Sequence, residues 1–573
     1  MTLDKARFEA LVRSGYAFRG ETLNGADLRG ASAVGAKLAG ALLVSVDLSG
    51  ADLSGARVLG GSMRGAKLAG ADLSKTSMVA PVLDEAILSG ARIAGARWTE
   101  PGLAKAQIDG ADLVGAQIAK GRLSKVKLDG AKLTGAIFAK CELDGASFNG
   151  AAMERTTFFE SNLENARFGT SKVKESGFVA SSLRGADLEK AELDGVAFER
   201  ADLRGAKLSK KMEKVIVRAT PLRGADLRGA NLEGAELEGA ELEALDLSGA
   251  VLRRCALVGV NLHGANLRGA DLTQSVLNGA DLVGADLTDA KLDNCVLAEA
   301  KLDGADLSGR DLRTLVAPKA SFRGAKLARA RFDRGVYDEA DFSGADLTGA
   351  SFRQVSFAKV KLDQALVSDV SFEAADLAGT NLAEHDLVGL RLVRCNFAGS
   401  DFAKKRFVRC DLSQSNFTDA NLTEATLDKC AATQANFQRA SLERAKLAGL
   451  EAKAAFFGEA NLDGADLTRA KLRHATFADA SLTRAKLDGA DVREAPMMRV
   501  RAARTSFREA TLQYAELSHA DLSHADLSSA DLSSANLHAA KLDGAVLDGA
   551  TTTRMKRDDP ARLQAEALDP TAT

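Results

Sequence analysis

Six histidines, six cysteines and 78 acidic residues are the groups in this 573-residue chain that could carry chemistry. The two closest histidines, His519 and His524, are five residues apart. The chain has no G-x-S-x-G, H-E-x-x-H or P-loop pattern. No carboxylate is placed as a general acid opposite a base. We therefore expect no catalytic residue, no cofactor, no metal site and no enzymatic activity.

The cysteines share one position, two residues before a large apolar residue, where alanine is usual. They are Cys141, Cys255, Cys295, Cys395, Cys410 and Cys430. Buried free thiols are the simplest interpretation, although Cys410 and Cys430 could form a disulfide. No C-x-x-C pair suggests zinc. Reduced thiols favour a cytoplasmic protein. The N-terminal stretch lacks a long apolar run, so neither a signal peptide nor a membrane span is predicted.

The whole chain is organised on a period of five residues, shown most clearly by residues 515–537, which read AELSHADLSHADLSSADLSSANL. Each leucine has an alanine two places before it and Asp, Glu or Asn between. A period of five fits neither a helix, at 3.6 residues, nor a strand, at two. A short fixed period instead indicates a solenoid, whose units stack to bury their apolar faces.

The phenylalanines indicate how many five-residue sides make one turn. Two series recur every twenty residues: Phe138, Phe158, Phe178 and Phe198, and Phe397, Phe417, Phe437, Phe457 and Phe477. In a stacked coil, like rings are expected to lie above one another one turn apart. A fifteen-residue turn gives only shorter runs. The spacing therefore predicts a four-sided coil with these phenylalanines in its structural core.

The units ADLSH, ADLSS and GADLRG resemble the pentapeptide repeat family, A-(D/N)-L-X-X, over about residues 21–550. The resemblance implies an all-β fold, a right-handed quadrilateral parallel β-helix with four five-residue sides per turn. It also implies that the central Leu or Phe and the preceding Ala face inward.

The register of the repeat divides the chain into five segments. They are an N-terminal capping segment (1–20), a first-register coil (21–208), a register break or hinge (209–221), a second-register coil (222–550) and a polar C-terminal tail (551–573). The break fits either one deleted residue in a continuous coil or a hinge between two rods.

Three local features add expectations within these segments. The capping segment is predicted to form a helix from residue 2 to about 14, with Thr2 as its N-cap. Pro81 and Pro101 stand at small inward positions and Trp98 at a central one, which predicts a bulge or widened turn. Asp559 before Pro560 is compatible with a short helix or a disordered tail.

Balanced charge, with 76 basic and 78 acidic residues, argues against a nucleic-acid partner. We expect a non-catalytic, rod-shaped scaffold that binds one or more proteins. The family resemblance suggests a bacterial type VI secretion accessory or adaptor. Its quinolone-resistance members suggest a DNA-mimic modulator of gyrase or topoisomerase instead, and a toxin-associated or immunity role is a third alternative. One segment fits mimicry by its local acidic surface: Glu233, Glu236, Glu238, Glu241, Glu243 and Asp246.

Overall fold

The computed structural model describes residues 4–380, 382, 385 and 387–568. Its residues group into two compact units, Met1–Lys301 and Leu302–Thr573. This boundary does not coincide with the register break expected at 209–221. Both units consist of short parallel strands and single parallel bridges, and each has one helix near a chain terminus. Neither helix is long and apolar enough to cross a membrane.

The described residues of the first unit form one helix and fifteen strands. They are α1 (Lys5–Arg13), β1 (Ala17–Arg19), β2 (Lys37–Ala39), β3 (Arg57–Leu59), β4 (Ser77–Val79), β5 (Arg97–Thr99), β6 (Gln117–Ala119), β7 (Ile137–Ala139), β8 (Ala152–Glu154), β9 (Thr157–Phe159), β10 (Lys172–Lys174), β11 (Gly177–Val179), β12 (Glu192–Asp194), β13 (Ala197–Glu199), β14 (Met212–Glu213) and β15 (Ile216–Arg218). An eleven-stranded sheet has the order β1-β2-β3-β4-β5-β6-β7-β9-β11-β13-β15, and a four-stranded sheet the order β14-β12-β10-β8.

The pairing of the first unit gives four sides per turn. Strand β1 pairs with β2 twenty residues later, Ala17 with Lys37. Three further bridges of the same span follow within that turn, from Thr22, Asp27 and Ser32. The predicted four-sided parallel coil with five residues per side is therefore confirmed.

The register changes by one residue where the sequence pattern slips. Strands β10 and β12 pair twenty residues apart, Lys172 with Glu192. The next pairing, Leu193 with Met212, spans nineteen. Twenty-residue pairing resumes at Lys211 with Asn231. The ladder of this unit therefore continues through the register break, and the turn that contains the break is one residue shorter than the others.

The bulge expected around Trp98 is absent. Strand β5 pairs in register with β4 and β6, and Trp98 is buried between Met78 and Ile118. The indole N–H donates to the Thr76 hydroxyl at 2.9 Å, which satisfies its polar group. The prolines are tolerated because the ladder does not use the backbone N–H at their position of the repeat. Two turns after Pro101, for example, the backbone N–H of Cys141 donates to the Ser161 hydroxyl.

The second unit is built in the same way. Its strands and helix are β16 (Ser351–Arg353), β17 (Ser371–Glu373), β18 (Leu387–Val388), β19 (Arg391–Val393), β20 (Phe407–Val408) and α2 (Pro560–Leu568). Four consecutive bridges from Ser321, Lys326, Arg331 and Val336 each reach a residue twenty positions later. This unit is therefore also a four-sided parallel coil.

Each letter of the repeat has a structural cause, as residues 520–528 show. Ala520 and Leu522 are fully buried inside the coil. His524 occupies the corner with φ +59°, and the N–H of Ala525 closes the turn on the Leu522 carbonyl. The Asp526 carboxylate accepts the N–H of Ser528 at 3.0 Å. Asp or Asn precedes the central leucine because its oxygen pairs a backbone N–H that the ladder does not use.

Helix α1 lies across the first turn of the coil. Its N-cap is Asp4, whose carboxylate accepts the N–H of Arg7; the predicted cap, Thr2, lies outside the described residues. Phe8 is 1% exposed and contacts the ring of Phe18. The Glu9 carboxylate accepts the N–H of Ser32 at 2.9 Å, a group that has no preceding turn to pair with. The helix thus seals the apolar core and one edge of the ladder.

Candidate interaction surfaces

The six acidic residues singled out from the sequence lie on four successive sides of one turn. Glu233 flanks Leu232, whereas Asp246 precedes Leu247, three sides further along. The remaining four flank the two inward leucines between them; they are Glu236, Glu238, Glu241 and Glu243. Because each five-residue unit forms one side, these carboxylates encircle the coil instead of sharing one face.

Basic side chains neutralise part of this acidic turn. Glu233 binds Arg253 at 3.1 Å and also pairs with Arg254. The hydrogen bond from Arg254 is the main cause that holds the pKa of Glu233 below its usual value. Glu236 pairs with Arg218 in the preceding turn. The local charge is therefore mixed, and its pairs run along the coil between neighbouring turns.

The two phenylalanine series form stacks inside the coil, one in each unit. In the first, the rings of Phe158 and Phe178 are 5.0 Å apart at an interplanar angle of 2°. In the second, Phe457 and Phe477 are 4.9 Å apart at 3°. These stacked rings are fully buried, so they contribute to packing and present no surface to a partner.

All six thiols are free and buried. The Cys255 thiol donates to the Leu232 carbonyl at 3.0 Å, and the thiols of Cys410 and Cys430 make the same type of bond. Burial raises the pKa of Cys141 to about 11 and that of Cys255 to about 12. A thiol that stays protonated at neutral pH is a poor nucleophile and metal ligand, so Cys141 and Cys255 behave as small core residues.

One apolar area interrupts a polar side of the second unit. Phe456 is 50% exposed and occupies the position where Asp466 and Asp526 stand in other repeats. The small residues Gly458 and Ala478 lie beside the Phe456 ring and leave a shallow groove. Met498, one turn after Ala478, is 37% exposed. We call Phe456, Gly458, Ala478 and Met498 the Phe456 surface.

Polar groups border the Phe456 surface and hold its shape. Asn436, one turn before Phe456, donates to the Thr418 hydroxyl at 3.0 Å. Asp479 binds Arg499 through two hydrogen bonds of 2.7 and 2.8 Å. An apolar centre inside a polar rim is the usual anatomy of a protein-binding surface. The sequence carried a signal for it, since Phe456 stands where Asp or Asn is usual in the repeat.

Helix α2 folds onto the same side of the second unit, further along the chain. Asp559 caps the helix by accepting the N–H of Ala561 at 3.0 Å. Its own N–H donates to Nδ1 of His538 at 3.1 Å. Glu566 approaches both His538 and His519, a grouping that spacing in the sequence did not indicate. The polar tail expected over 551–573 thus contains a docked helix.

These features define the class of the protein: a parallel β-solenoid of five-residue repeats. The profile described as "Pentapeptide repeat region" matches residues 131–208. The profile "Pentapeptide repeats (8 copies)" matches twelve segments between residues 23 and 551. The chain therefore belongs to the pentapeptide repeat family, as the sequence indicated, and the quadrilateral β-helix is its fold.

Solved structures of the same family are similar to parts of the chain. HetL, involved in heterocyst differentiation regulation in the cyanobacterium Nostoc sp. strain PCC 7120, is 27% identical, with 43% of this chain and 89% of HetL covered and a TM-score of 0.21. The plasmid-mediated fluoroquinolone resistance protein QnrB1 is 20% identical, covering 39% of this chain and 91% of its own, with a TM-score of 0.20. No curated protein sequence matches the chain.

Proposed function

We propose that the protein is a non-catalytic scaffold that binds a partner protein along a side of the coil, with the Phe456 surface as a docking point. The half-exposed Phe456 ring carries this proposal. Removing an aromatic ring from water is among the largest single contributions to a protein interface. The small residues Gly458 and Ala478 leave room for a partner side chain beside the ring.

The repeat itself supports a scaffold role. Ladder hydrogen bonds, buried leucines and stacked rings hold each side rigid, so a partner meets a preorganised surface and little entropy is lost on binding. We place this scaffold in the cytoplasm, because its six thiols are free. A type VI secretion accessory or adaptor is the role we propose for it among bacterial systems, on the family resemblance of long coils of this kind.

The alternative of DNA mimicry has less support in the geometry. Duplex DNA presents a continuous line of negative charge. Here the acidic turn distributes its carboxylates over four sides, and Glu233 and Glu236 are paired with arginines. We therefore favour a protein partner that binds through an apolar contact.

The substitution Phe456→Asp tests the proposal with little disturbance of the fold. Aspartate is the usual residue at this position of the repeat, and Phe456 contributes only its backbone to the ladder. Proteins captured by the wild-type chain from native lysate are expected to be lost with F456D, and the main one should bind the purified wild-type chain directly. Capture is quantified by mass spectrometry.

Leu366→Asp is the matched control, since Leu366 is an exposed apolar residue at the equivalent repeat position. The L366D variant should retain the partner that F456D loses. If F456D captures the same proteins in the same amounts as wild type, the Phe456 surface is not the docking point. Thermal denaturation of both variants checks that the coil is intact.

A further inference from the structure

Three side chains from separate parts of the second unit meet where helix α2 touches the coil. His519 occupies a coil corner with φ +60°, and His538 follows one turn later at 2% exposure. Glu566 comes from α2. One ligand atom from each residue can be chosen so that all three lie within 4.8 Å of one another. Two ring nitrogens and a carboxylate oxygen are donors that zinc accepts in proteins.

The spacing of these atoms is compatible with ligands of one metal ion. Glu566 Oε2 lies 3.3 Å from His538 Nε2 and 3.5 Å from His519 Nε2. A direct charge-assisted hydrogen bond would be about 2.7–2.9 Å long. Ligand atoms around a tetrahedral zinc ion with bonds of about 2.0–2.1 Å are separated by roughly 3.3–3.4 Å. The two distances from Glu566 Oε2 are close to that value.

The surroundings orient the carboxylate towards the histidines. Arg562, one helical turn before Glu566, donates from Nε to Glu566 Oε1 at 2.7 Å. This bond uses one oxygen and leaves Oε2 facing the two rings. Support of a ligating carboxylate by a neighbouring hydrogen bond is common around metal sites. The same guanidinium adds a positive charge nearby, which lowers the affinity expected for a cation.

The hydrogen bonds of His538 define what must change when a cation enters. Its Nδ1 accepts the N–H of Asp559, so the ring carries its hydrogen on Nε2, facing Glu566. A cation on Nε2 requires that hydrogen to move to Nδ1, where it would oppose the Asp559 N–H. The Asp559 N–H then loses this acceptor, while the Asp559 carboxylate still caps the helix at Ala561. Occupancy and the first turn of the helix are therefore coupled.

We propose that His519, His538 and Glu566 form a site for a divalent zinc-type cation, with the fourth position open to water, that fastens helix α2 to the coil. The buried ring of His538 is the fixed ligand. The partly buried ring of His519, at the neighbouring corner, completes the site. The proposal is independent of the scaffold role, because it concerns how the C-terminal helix is held.

Calorimetric titration of the full chain with zinc ions tests the site. The chain is prepared without a polyhistidine tag and dialysed against a chelator, which is then removed. One equivalent of zinc is expected to bind. The His519→Ala variant should bind at least about tenfold more weakly, since even supporting residues of metal sites change affinity by 10–100-fold. His519 lies at the coil surface, so this change should leave the fold intact.

His524→Ala is the matched control, because His524 occupies the same corner position on the next side. It should bind zinc as the wild type does. Zinc should also slow hydrogen exchange in α2 of the wild-type chain and of H524A but not of Glu566→Gln. The proposal is overturned if the wild-type chain binds no stoichiometric zinc, or if H519A and H524A bind it equally well.

Discussion

Helix α1 buries the ring of Phe8 against Phe18 at the start of the first unit, whereas helix α2 meets the second unit mainly through polar groups. Beneath α1, Leu23 and Leu28 are buried. In the last turn of the second unit, Leu542 and Leu547 are only partly buried.

The two terminal helices are therefore held to the coil by different kinds of interaction. Burial of an apolar ring is not directional and changes little with pH, so α1 is a permanent seal. The contacts of α2 are hydrogen bonds and charge pairs of titratable groups, whose strength depends on protonation and on ions. We therefore expect α1 to unfold with the coil and α2 to be releasable by itself.

The largest effect expected is at the apolar seal. Phe8→Ala removes a fully buried ring and should lower the free energy of unfolding by about 3–5 kcal/mol. Leu563→Ala, in α2, removes a side chain that is already more than one-third exposed, and should cost less than about 0.5 kcal/mol. Urea denaturation followed by circular dichroism measures both. Similar losses for the two variants would show that the helices contribute equally to the coil.

A smaller difference between the two helices should appear when the pH is lowered. Burial raises the pKa of Glu566, but hydrogen bonds from Arg562 and His538 and the charge of His519 outweigh it, so the pKa is lowered. A lowered carboxyl pKa gives stability that is present above the unfolded value, about 4.3, and lost as pH falls through the folded value. Helix α2 should thus loosen below about pH 4 while α1 stays protected.

Hydrogen exchange measured by mass spectrometry between pH 6 and pH 3, corrected for intrinsic rates, follows both helices in one sample. In Glu566→Gln the side chain no longer titrates, so the acid-induced loosening of α2 should be much reduced. If α1 and α2 lose protection from exchange in parallel, α1 is not a permanent seal that outlasts the contacts of α2.

The repeat was predictable from sequence because each of its positions has a local cause. Small, polar and large apolar residues recur at fixed places, and like rings recur every twenty residues, so the four-sided fold followed. The bulge predicted at Trp98 was wrong, since Thr76 supplies a partner for the indole and the corner tolerates proline. The general rule that proline disrupts strand pairing did not show that the backbone N–H at the position of Pro81 and Pro101 lies outside the ladder.

The surfaces were harder to predict than the core. The grouping of His519, His538 and Glu566 depends on where a terminal helix docks, and the repeat contains no information about that contact. The acidic segment looked continuous in sequence, yet successive units point in four directions. Phe456 was detectable as a departure from the repeat, because an outward ring replaces the usual aspartate. Outward departures of this type are the most informative positions in such a chain.

Twenty residues, and not five, form the unit that stacks. Deleting residues 440–459 removes one full turn and should place Phe437 below Phe477, so the ring column survives. Deleting 440–449 keeps the period of five but places Phe437 below Leu467 and Phe457 above Leu427. The broken ring pair should then cost about 0.5–1.5 kcal/mol. Thermal denaturation should show the twenty-residue deletion melting close to the parent protein and the ten-residue deletion clearly lower, whereas equal midpoints would contradict a four-sided coil.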